Sequence, residues 1–188
     1  ALFTYYWPPA SGPGVQRWLK FVKFLPHYDW DVIVVTPRNG SYPNTDPTLL
    51  EDIPAHTTVE KTASLEPFRL FNILSGKPGK GKTSTVGMDE IKGSQTLIKK
   101  IAAFIRANIF IPDARRGWVP FATSRGKKII TNQKIDLIIT TGPPHSTHLT
   151  GLKLHKKYQI PWIADFRDPW TTIYYNNFLP RSERAKAK

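Results

Sequence analysis

Residues 135–170, "IDLIITTGPPHSTHLTGLKLHKKYQIPWIADFRDPW", place a strand, a helix and a second strand in close succession. "IDLIITT" is an apolar run of the length typical of a buried strand. "HSTHLTGLKLHKKY" predicts a helix with Leu149, Leu152 and His155 or Lys156 on one side. "IPWIADFRDPW" is a further apolar strand with a polar end. Because a helical crossover joins parallel strands, this stretch predicts parallel pairing.

The rest of the chain continues the alternation of strands and helices. "ALFTYYWPP" (1–9), "DVIVVTP" (31–37) and "TTVEKTAS" (57–64) are strand-like, and "VQRWLKFVKFL" (15–25) has helical spacing and ends at Pro26. Further helices are predicted at 65–75, at about 94–110 and at 118–133, where Gly126 weakens the pattern. This order predicts an α/β fold, with a Rossmann-like parallel sheet that carries helices on both faces.

Composition limits the classes of function. The chain has 188 residues, which suits one domain, and it has no cysteine, which excludes disulfides, thiolate metal sites and cysteine nucleophiles. No stretch reads as a transmembrane helix or a cleavable signal. The net charge of +13 favours anionic partners such as nucleic acid, acidic lipid headgroups or phosphorylated small molecules. A solubilising basic surface explains the charge equally well.

Ligands of parallel α/β sheets bind beyond the carboxyl ends of the strands, which here are the loops 8–17, 37–45, 141–148 and 165–170. In the first loop, the glycines allow close approach of a ligand, and Arg17 is placed to pair with a phosphate. The alternative is a tight turn that needs glycine for its geometry. The dinucleotide fingerprint is not met, because Arg17 stands where its third glycine belongs. The candidate binding residues of this loop are Gly12, Pro13, Gly14, Val15, Gln16 and Arg17.

The third loop places His145 and Ser146 near the start of a helix. A histidine there is suited to hold a hydroxyl or phosphate, or to transfer a proton. The alternative is a capping serine beside a histidine that only packs. His148 and His155 are interpreted as ordinary helix residues. No acidic residue lies at metal-ligand spacing from these histidines, so we assign no metal.

The fourth loop crowds Asp165, Arg167 and Asp168 at the end of a buried strand. Charges at such a position are costly unless they pair or bind a ligand. One interpretation pairs Asp165 with Arg167 and turns Asp168 toward the cleft. The alternative is a purely structural ion pair.

A basic, glycine-rich stretch, "SGKPGKGKTS" (75–84), matches the spacing of a P-loop. A P-loop needs a buried strand before it and a helix after it, and neither flank fits, so a P-loop nucleotidase is disfavoured. We expect a mobile loop at about 76–93. Together with the helix that follows, it predicts contact with an anionic membrane or acceptor. The residues involved are Lys77, Lys80, Lys82, Lys99, Lys100 and Arg106.

Two alternatives to membrane contact follow from the same charges. The helix at 94–110 fits a core helix with a solvated basic face. A nucleic-acid-binding module explains the net charge, but the aromatic residues do not interleave with basic ones as a stacking surface requires. We therefore expect no nucleic-acid partner.

Four segments, in order, are "GPGVQRWLKFVKFL", "VIVVTP", "IITTGPPHSTHLTG" and "WIADFRDPW". Together they resemble the N-terminal domain of bacterial family 4 glycosyltransferases, enzymes of the two-domain GT-B fold. The resemblance runs from residue 2 to about 175. "TGPPHS" and "DFRDPW" are its most specific parts, and residues 38–93 are the least diagnostic.

The resemblance implies that residues 1–188 are the acceptor-binding half of a retaining hexosyltransferase, inactive without a donor-binding domain that lies beyond this chain. It implies a nucleotide-sugar donor, a lipid-linked or polysaccharide acceptor, and no metal or other cofactor. The implied location is cytoplasmic, peripheral on the inner face of the membrane. Carried onto this sequence, the loop of residues 12–17 approaches the donor diphosphate or the acceptor. His145 lies near the transferred sugar, and Asp168, with Arg167 beside it, faces the cleft.

Overall fold

The structure is a computed structural model that describes residues 1–65, 108, 111–168 and 182. Its strands are β1 Leu2–Thr4, β2 Ile33–Pro37, β3 Thr58–Thr62, β4 Ile138–Thr141 and β5 Trp162–Asp165. Its helices are α1 Pro13–Phe24, α2 Val119–Asn132 and α3 Thr147–Tyr158, with short 3-10 helices at Leu25–Tyr28, Pro47–Leu50 and Arg116–Trp118.

The five strands form one sheet in the order β3-β2-β1-β4-β5, and every pair is parallel. β1 lies at the centre, where Leu2 is in register with Val34 on one side and Ile139 on the other. The order runs outward from β1 in one direction and then continues from β4 in the other. This is the arrangement of a Rossmann-like sheet, and it confirms the predicted α/β fold.

Helices cover both faces of the sheet because alternate side chains of each strand point to opposite sides. Leu2 and Val34 belong to a buried cluster with α1, and their neighbours Phe3 and Val35 belong to a second cluster with α2 and α3. Full burial of an apolar side chain of this size contributes about 1.5–3 kcal/mol. The two clusters make a three-layer sandwich, as the sequence predicted.

The start of α1 depends on local backbone chemistry. Gly12 precedes the helix with φ 127°, in the region where a side chain is strained. Pro13 takes the first helical position, where its missing N–H costs nothing. The helix therefore begins directly in the strand-end loop that follows β1.

Two glycines in the helices allow close packing. A Cβ on Gly126 of α2 would lie 2.6 Å from Leu154 Cδ1 and 2.8 Å from Phe3 Cζ. Gly151 of α3 lies directly against the Trp162 indole. Gly126, which weakens the helix pattern in the sequence, is thus the residue that lets α2 approach α3 and the sheet.

The buried side of α3 is not the side that carries Leu149 and Leu152. The buried residues of α3 are Thr147, His148, Thr150, Gly151 and Leu154, while Leu149 and Leu152 are only partly buried. Hydrophobicity favoured Leu149 and Leu152, but the face that packs on the sheet carries small residues, because Thr150 and Gly151 permit a closer approach to β4 and β5.

Several predictions lie outside the described residues. These are the helices at 65–75, beyond Leu65, and at about 94–110, the loop at 76–93, and the six basic residues assigned to membrane contact. Among the described residues, no helix combines the length and hydropathy needed to cross a bilayer.

Candidate functional site

The carboxyl ends of β1, β4 and β5 lie side by side, and the strand order changes direction between β1 and β4. Such a point opens a crevice for ligands. The loop after β2 supports the loop after β1: the Asp46 N–H donates to Pro9 O at 2.8 Å, and the Ser11 N–H donates to Asn44 O at 3.1 Å. These backbone hydrogen bonds thus fix the position of the loop after β1.

Asp165 is the polar centre of this edge. Its Oδ2 accepts hydrogen bonds from Trp18 Nε1 at 2.9 Å and Thr141 Oγ1 at 2.7 Å, and it also pairs with the guanidinium of Arg17. This replaces the Asp165–Arg167 pair expected from the sequence. One carboxylate therefore joins the first turns of α1 to the ends of β4 and β5. Arg17, expected to meet a phosphate, has an internal partner.

Arg167 turns away from Asp165 toward the other two loops. Its Nε donates to Gly142 O at 3.1 Å, and its guanidinium lies against Gly14 so closely that a Cβ there would displace it. Three loops predicted separately from the sequence therefore meet at Arg167. A cation beside the first turn of α1 adds to the positive potential of the helix N-terminus.

Ser146 is anchored by a residue that sequence reasoning missed. Its backbone N–H donates to Asp113 Oδ2 at 2.7 Å and its hydroxyl donates to Asp113 Oδ1 at 2.8 Å. The Arg115 N–H also donates to Asp113 Oδ1, at 2.8 Å. The only sequence signal was the local Asp-x-Arg turn, since aspartate commonly accepts from the N–H two residues on. The carboxylate of Asp113 thus accepts the hydrogen bonds of Ser146 at the start of α3, where an external anion would otherwise bind.

His145 and His148 project from the start of α3 toward Phe166. The centroids of His148 and Phe166 are 4.1 Å apart, and the rings of His145 and Phe166 stack at 5.9 Å. A Cβ on Gly142 would lie 2.8 Å from His145 Nδ1 and 2.9 Å from His148 Nε2, so this glycine leaves the space that both rings share. Positions three apart face the same side of a helix, and that spacing was the signal for His148 that the sequence offered.

The two histidines favour the uncharged state. Burial lowers the pKa of His148 to about 4, with a further lowering by His145 and an opposing effect of Asp165. Burial also lowers the pKa of His145, aided by Arg167, while the charges of Asp113 and Asp168 oppose it. Both rings therefore act at neutral pH as uncharged hydrogen-bonding groups.

Asp168 lies next to Arg167 in the fourth loop. It is exposed and adopts a left-handed backbone with φ 63°, a conformation that aspartate tolerates better than most residues. Its charge acts on His145, which places the two predicted catalytic residues within electrostatic reach of each other. Among the described residues, no group of three or more histidines, aspartates or glutamates is placed to hold a metal ion.

A cavity of about 280 Å³ opens between α3, the loop before α2 and Phe166. It is lined by Ile111, Pro112, Arg116, His145, His148, Leu149 and Phe166. Its walls are mostly apolar with a few polar groups, the usual character of a small-molecule site. A second depression, of about 510 Å³, lies at the far end of α1 beside Lys23 and His27, away from the crevice loops.

The chain matches no protein-family model, no curated protein and no solved structure. A functional proposal therefore rests on the residues at the carboxyl edge of the sheet.

Proposed function

We propose that this chain is the acceptor-binding half of a retaining hexosyltransferase that moves a sugar from a nucleotide-sugar donor to a lipid-linked or polysaccharide acceptor. One observation carries the proposal. Three of the four segments that resemble family 4 glycosyltransferases are in contact through Arg17, Asp165 and Arg167, and the pair of Arg17 with Asp165 spans 148 positions of sequence. They meet beside the change in strand order, where Rossmann-like sheets bind ligands.

The contacts suit a preorganised binding edge. Asp165 has its three donors within the fold, and Arg167 spans from Gly142 to Gly14, so the loops need little ordering when a ligand arrives. His145 borders a small cavity beside this edge, and Asp168 is exposed and close enough for its charge to act on His145. In this proposal, His145 contacts the transferred sugar, Asp168 faces the cleft, and a second domain supplies the donor nucleotide site. The transfer needs no metal.

We further propose that the domain works at the inner face of an anionic membrane. Supporting this, α1 and the segment after it expose large aromatic side chains: Phe21 is 49% exposed, Phe24 50% and Trp30 42%. Lys20 and Lys23 lie exposed on the same helix. Aromatic residues with adjacent lysines favour the interface between headgroups and acyl chains.

The transferase proposal is tested on the full-length natural protein with radiolabelled nucleotide hexoses and a membrane lipid extract as acceptor. We expect label in the lipid or glycan fraction. We expect His145→Ala and Asp168→Asn to lower the rate about 100-fold or more, by the usual weight of such groups. Lys153→Ala, exposed on α3, is the matched control and should keep the normal rate. Normal transfer by both site variants, or no transfer from any donor, would contradict the proposal.

The membrane proposal is tested by co-sedimentation with vesicles of 30:70 and 0:100 anionic to neutral lipid, an arbitrary but roughly physiological contrast. We expect binding to anionic vesicles that weakens with salt, and that the double variant Phe21→Ser and Phe24→Ser reduces. Phe121→Ser is the control, since Phe121 is exposed on α2 at the other face of the sheet. Equal binding to both vesicle types would contradict the membrane proposal.

A further inference from the structure

The loop that carries His145 is fixed at both of its ends. At the end next to β4, the Gly142 N–H donates to Asp165 O at 3.0 Å. At the end next to α3, Ser146 donates its N–H and its hydroxyl to the two carboxylate oxygens of Asp113, at 2.7 and 2.8 Å. His145 precedes Ser146 directly, so the position of its backbone depends on Asp113.

Asp113 is suited to this role because local hydrogen bonds fix its own position. Its Oδ1 also accepts from the Arg115 N–H at 2.8 Å, and its backbone carbonyl accepts from the Arg116 N–H at 3.3 Å. The Arg116 guanidinium donates to Ile111 O at 2.9 Å, so a further bond holds the same turn. Both bonds from Ser146 are charge-assisted, and such bonds are roughly twice as strong as bonds between neutral groups. The turn therefore gives Ser146 a fixed acceptor.

Burial makes Ser146 dependent on this one acceptor. Ser146 is 0% exposed, so water cannot replace the carboxylate of Asp113 where the residue lies. Without that carboxylate, the N–H and the hydroxyl of Ser146 would be buried donors without partners, a state that folded proteins avoid. We therefore expect the loop to shift until both donors reach water or another acceptor. His145, one residue before, shifts with it.

The side chain of His145 forms part of the wall of the cavity of about 280 Å³. The residue is partly exposed, and its ring stacks on Phe166 with the centroids 5.9 Å apart. Ile111 and Pro112, the two residues before Asp113, line the same cavity. Asp113 therefore connects two parts of the cavity wall, which are its own segment and the loop of His145.

Asp113 also acts on His145 through its charge. Burial lowers the pKa of His145, the charges of Asp113 and, less strongly, Asp168 raise it, and Arg167 lowers it. The ring of His148 on α3 lies next to that of His145, with the centroids 6.0 Å apart. Because Asp113 influences both the place and the proton affinity of His145, a test has to separate its bonds from its charge.

We propose that Asp113 is a positioning residue, which through its two bonds to Ser146 holds the ring of His145 at the cavity wall in the orientation that contacts the bound sugar. For the use of His145 the inference rests on the proposed transferase function, whereas the anchoring of the loop depends on no reaction. Asp113 itself does not touch the ligand. None of the four segments that carry the family resemblance includes Asp113.

The position of the His145 ring is measured by NMR on the 188-residue chain, at about pH 8, well above the ordinary pKa of histidine. The ring stacks on Phe166, so the ring current of Phe166 shifts the resonances of its protons. We expect Asp113→Ala to move these resonances toward their values in an unfolded chain. Val22→Ala is the destabilised control, because it opens a cavity in the buried cluster on the other face of the sheet and should leave them in place.

The consequence for sugar transfer is measured as kcat and KM of the full-length natural protein, with the nucleotide hexose that it accepts. Asp113→Ala should lower kcat about 10- to 100-fold and change KM less, because a misplacement of about 1 Å can cost that much. Asp113→Asn should recover most of the loss, because its amide accepts from the Ser146 N–H and donates to the Ser146 hydroxyl, so both bonds persist without the charge. Val22→Ala should keep the natural kcat in its folded fraction.

Unmoved His145 resonances or a normal kcat in folded Asp113→Ala would overturn the inference, as would an Asp113→Asn variant that recovers nothing. If Asp113→Ala does not fold, Ser146→Ala decides: it removes the hydroxyl bond alone, and unmoved His145 resonances there overturn the inference. Moved resonances without sugar transfer by the full-length protein would contradict the transferase proposal and leave the anchoring of His145. Normal transfer by folded Asp113→Ala would leave the transferase proposal and contradict the role of Asp113.

Discussion

Arg17 of α1 and Asp165 at the end of β5 form an ion pair across 148 positions of sequence. The pair is partly buried, with side-chain exposures of 39% for Arg17 and 19% for Asp165. Trp18 and Thr141 donate to the same carboxylate oxygen, so Asp165 satisfies donors from α1 and β4 at once. The loops at this edge of the sheet therefore depend on one acidic side chain for their contacts.

Asp165→Ala should lower the free energy of unfolding by about 3–5 kcal/mol, because it leaves a cation and two neutral donors without their acceptor. Arg17→Ala should cost less, since Asp165 then keeps Trp18 and Thr141. Urea denaturation measures both. The control is Asp136→Ala, whose pair with Lys134 is well exposed and contributes at most about 1 kcal/mol. Equal losses for the three variants would contradict a central role of Asp165.

Asp113→Ala should destabilise the chain by about 1–3 kcal/mol, because three donors around the start of α3 lose their acceptor. Hydrogen exchange at the Ser146 amide should accelerate in proportion. Ser146→Ala removes only the hydroxyl bond and should cost less. Since the charge of Asp113 raises the pKa of His145, NMR titration of Asp113→Asn should show that pKa lower still. A slow Ser146 amide in Asp113→Ala would show that another group caps α3.

Gly126→Ala should destabilise the chain by about 1–3 kcal/mol, although alanine favours a helix by about 1 kcal/mol over glycine. The added Cβ meets Leu154 at 2.6 Å and Phe3 at 2.8 Å in a packed interface. Ser124→Ala, exposed on the same helix, is the matched control and should be neutral or slightly stabilising. Thermal unfolding compares them. A more stable Gly126→Ala would mean that α2 can shift outward freely.

Stability should fall as the pH is lowered from about 6.5 toward 4. The pKa of His148 is about 4 in the folded chain and near 6.5 when unfolded, so the unfolded state binds more protons in that window. The contribution of uncharged His148 to the free energy of unfolding is fully present above pH 6.5 and amounts to at most about 3 kcal/mol. His145, whose pKa is also lowered, acts in the same direction. Urea titrations at pH 7.5 and 5 should show a smaller loss in His148→Gln. An identical loss would place the titration elsewhere.

The sequence by itself determined the class of fold and the edge of the sheet at which the glycine-, proline- and charge-rich loops lie. Apolar strands such as "VIVVTP" alternate with amphipathic helices. Such an alternation buries its apolar residues in a parallel sheet that is covered by helices on both faces. Glycines, prolines and charges after the strands then mark the loops at the carboxyl edge. The helix predicted at 15–25 begins earlier, at Pro13, because Gly12 and Pro13 favour a helix start through their local backbone preferences.

Only the tertiary structure decided which residues at that edge meet. Asp165 pairs with Arg17 in place of Arg167, and Ser146 bonds to Asp113. The helix α3 buries His148, Gly151 and Leu154, while Leu149 and Leu152 are only partly buried. Each choice depends on distances between segments far apart in the chain. Periodicity and propensity describe one segment at a time. The contact partner of a side chain depends instead on which two segments the register of the sheet and the packing of the helices bring together. The surroundings of His148 belong to this second kind of information, because its ring bonds to Thr140, which accepts a hydrogen bond from Trp162 of the neighbouring strand.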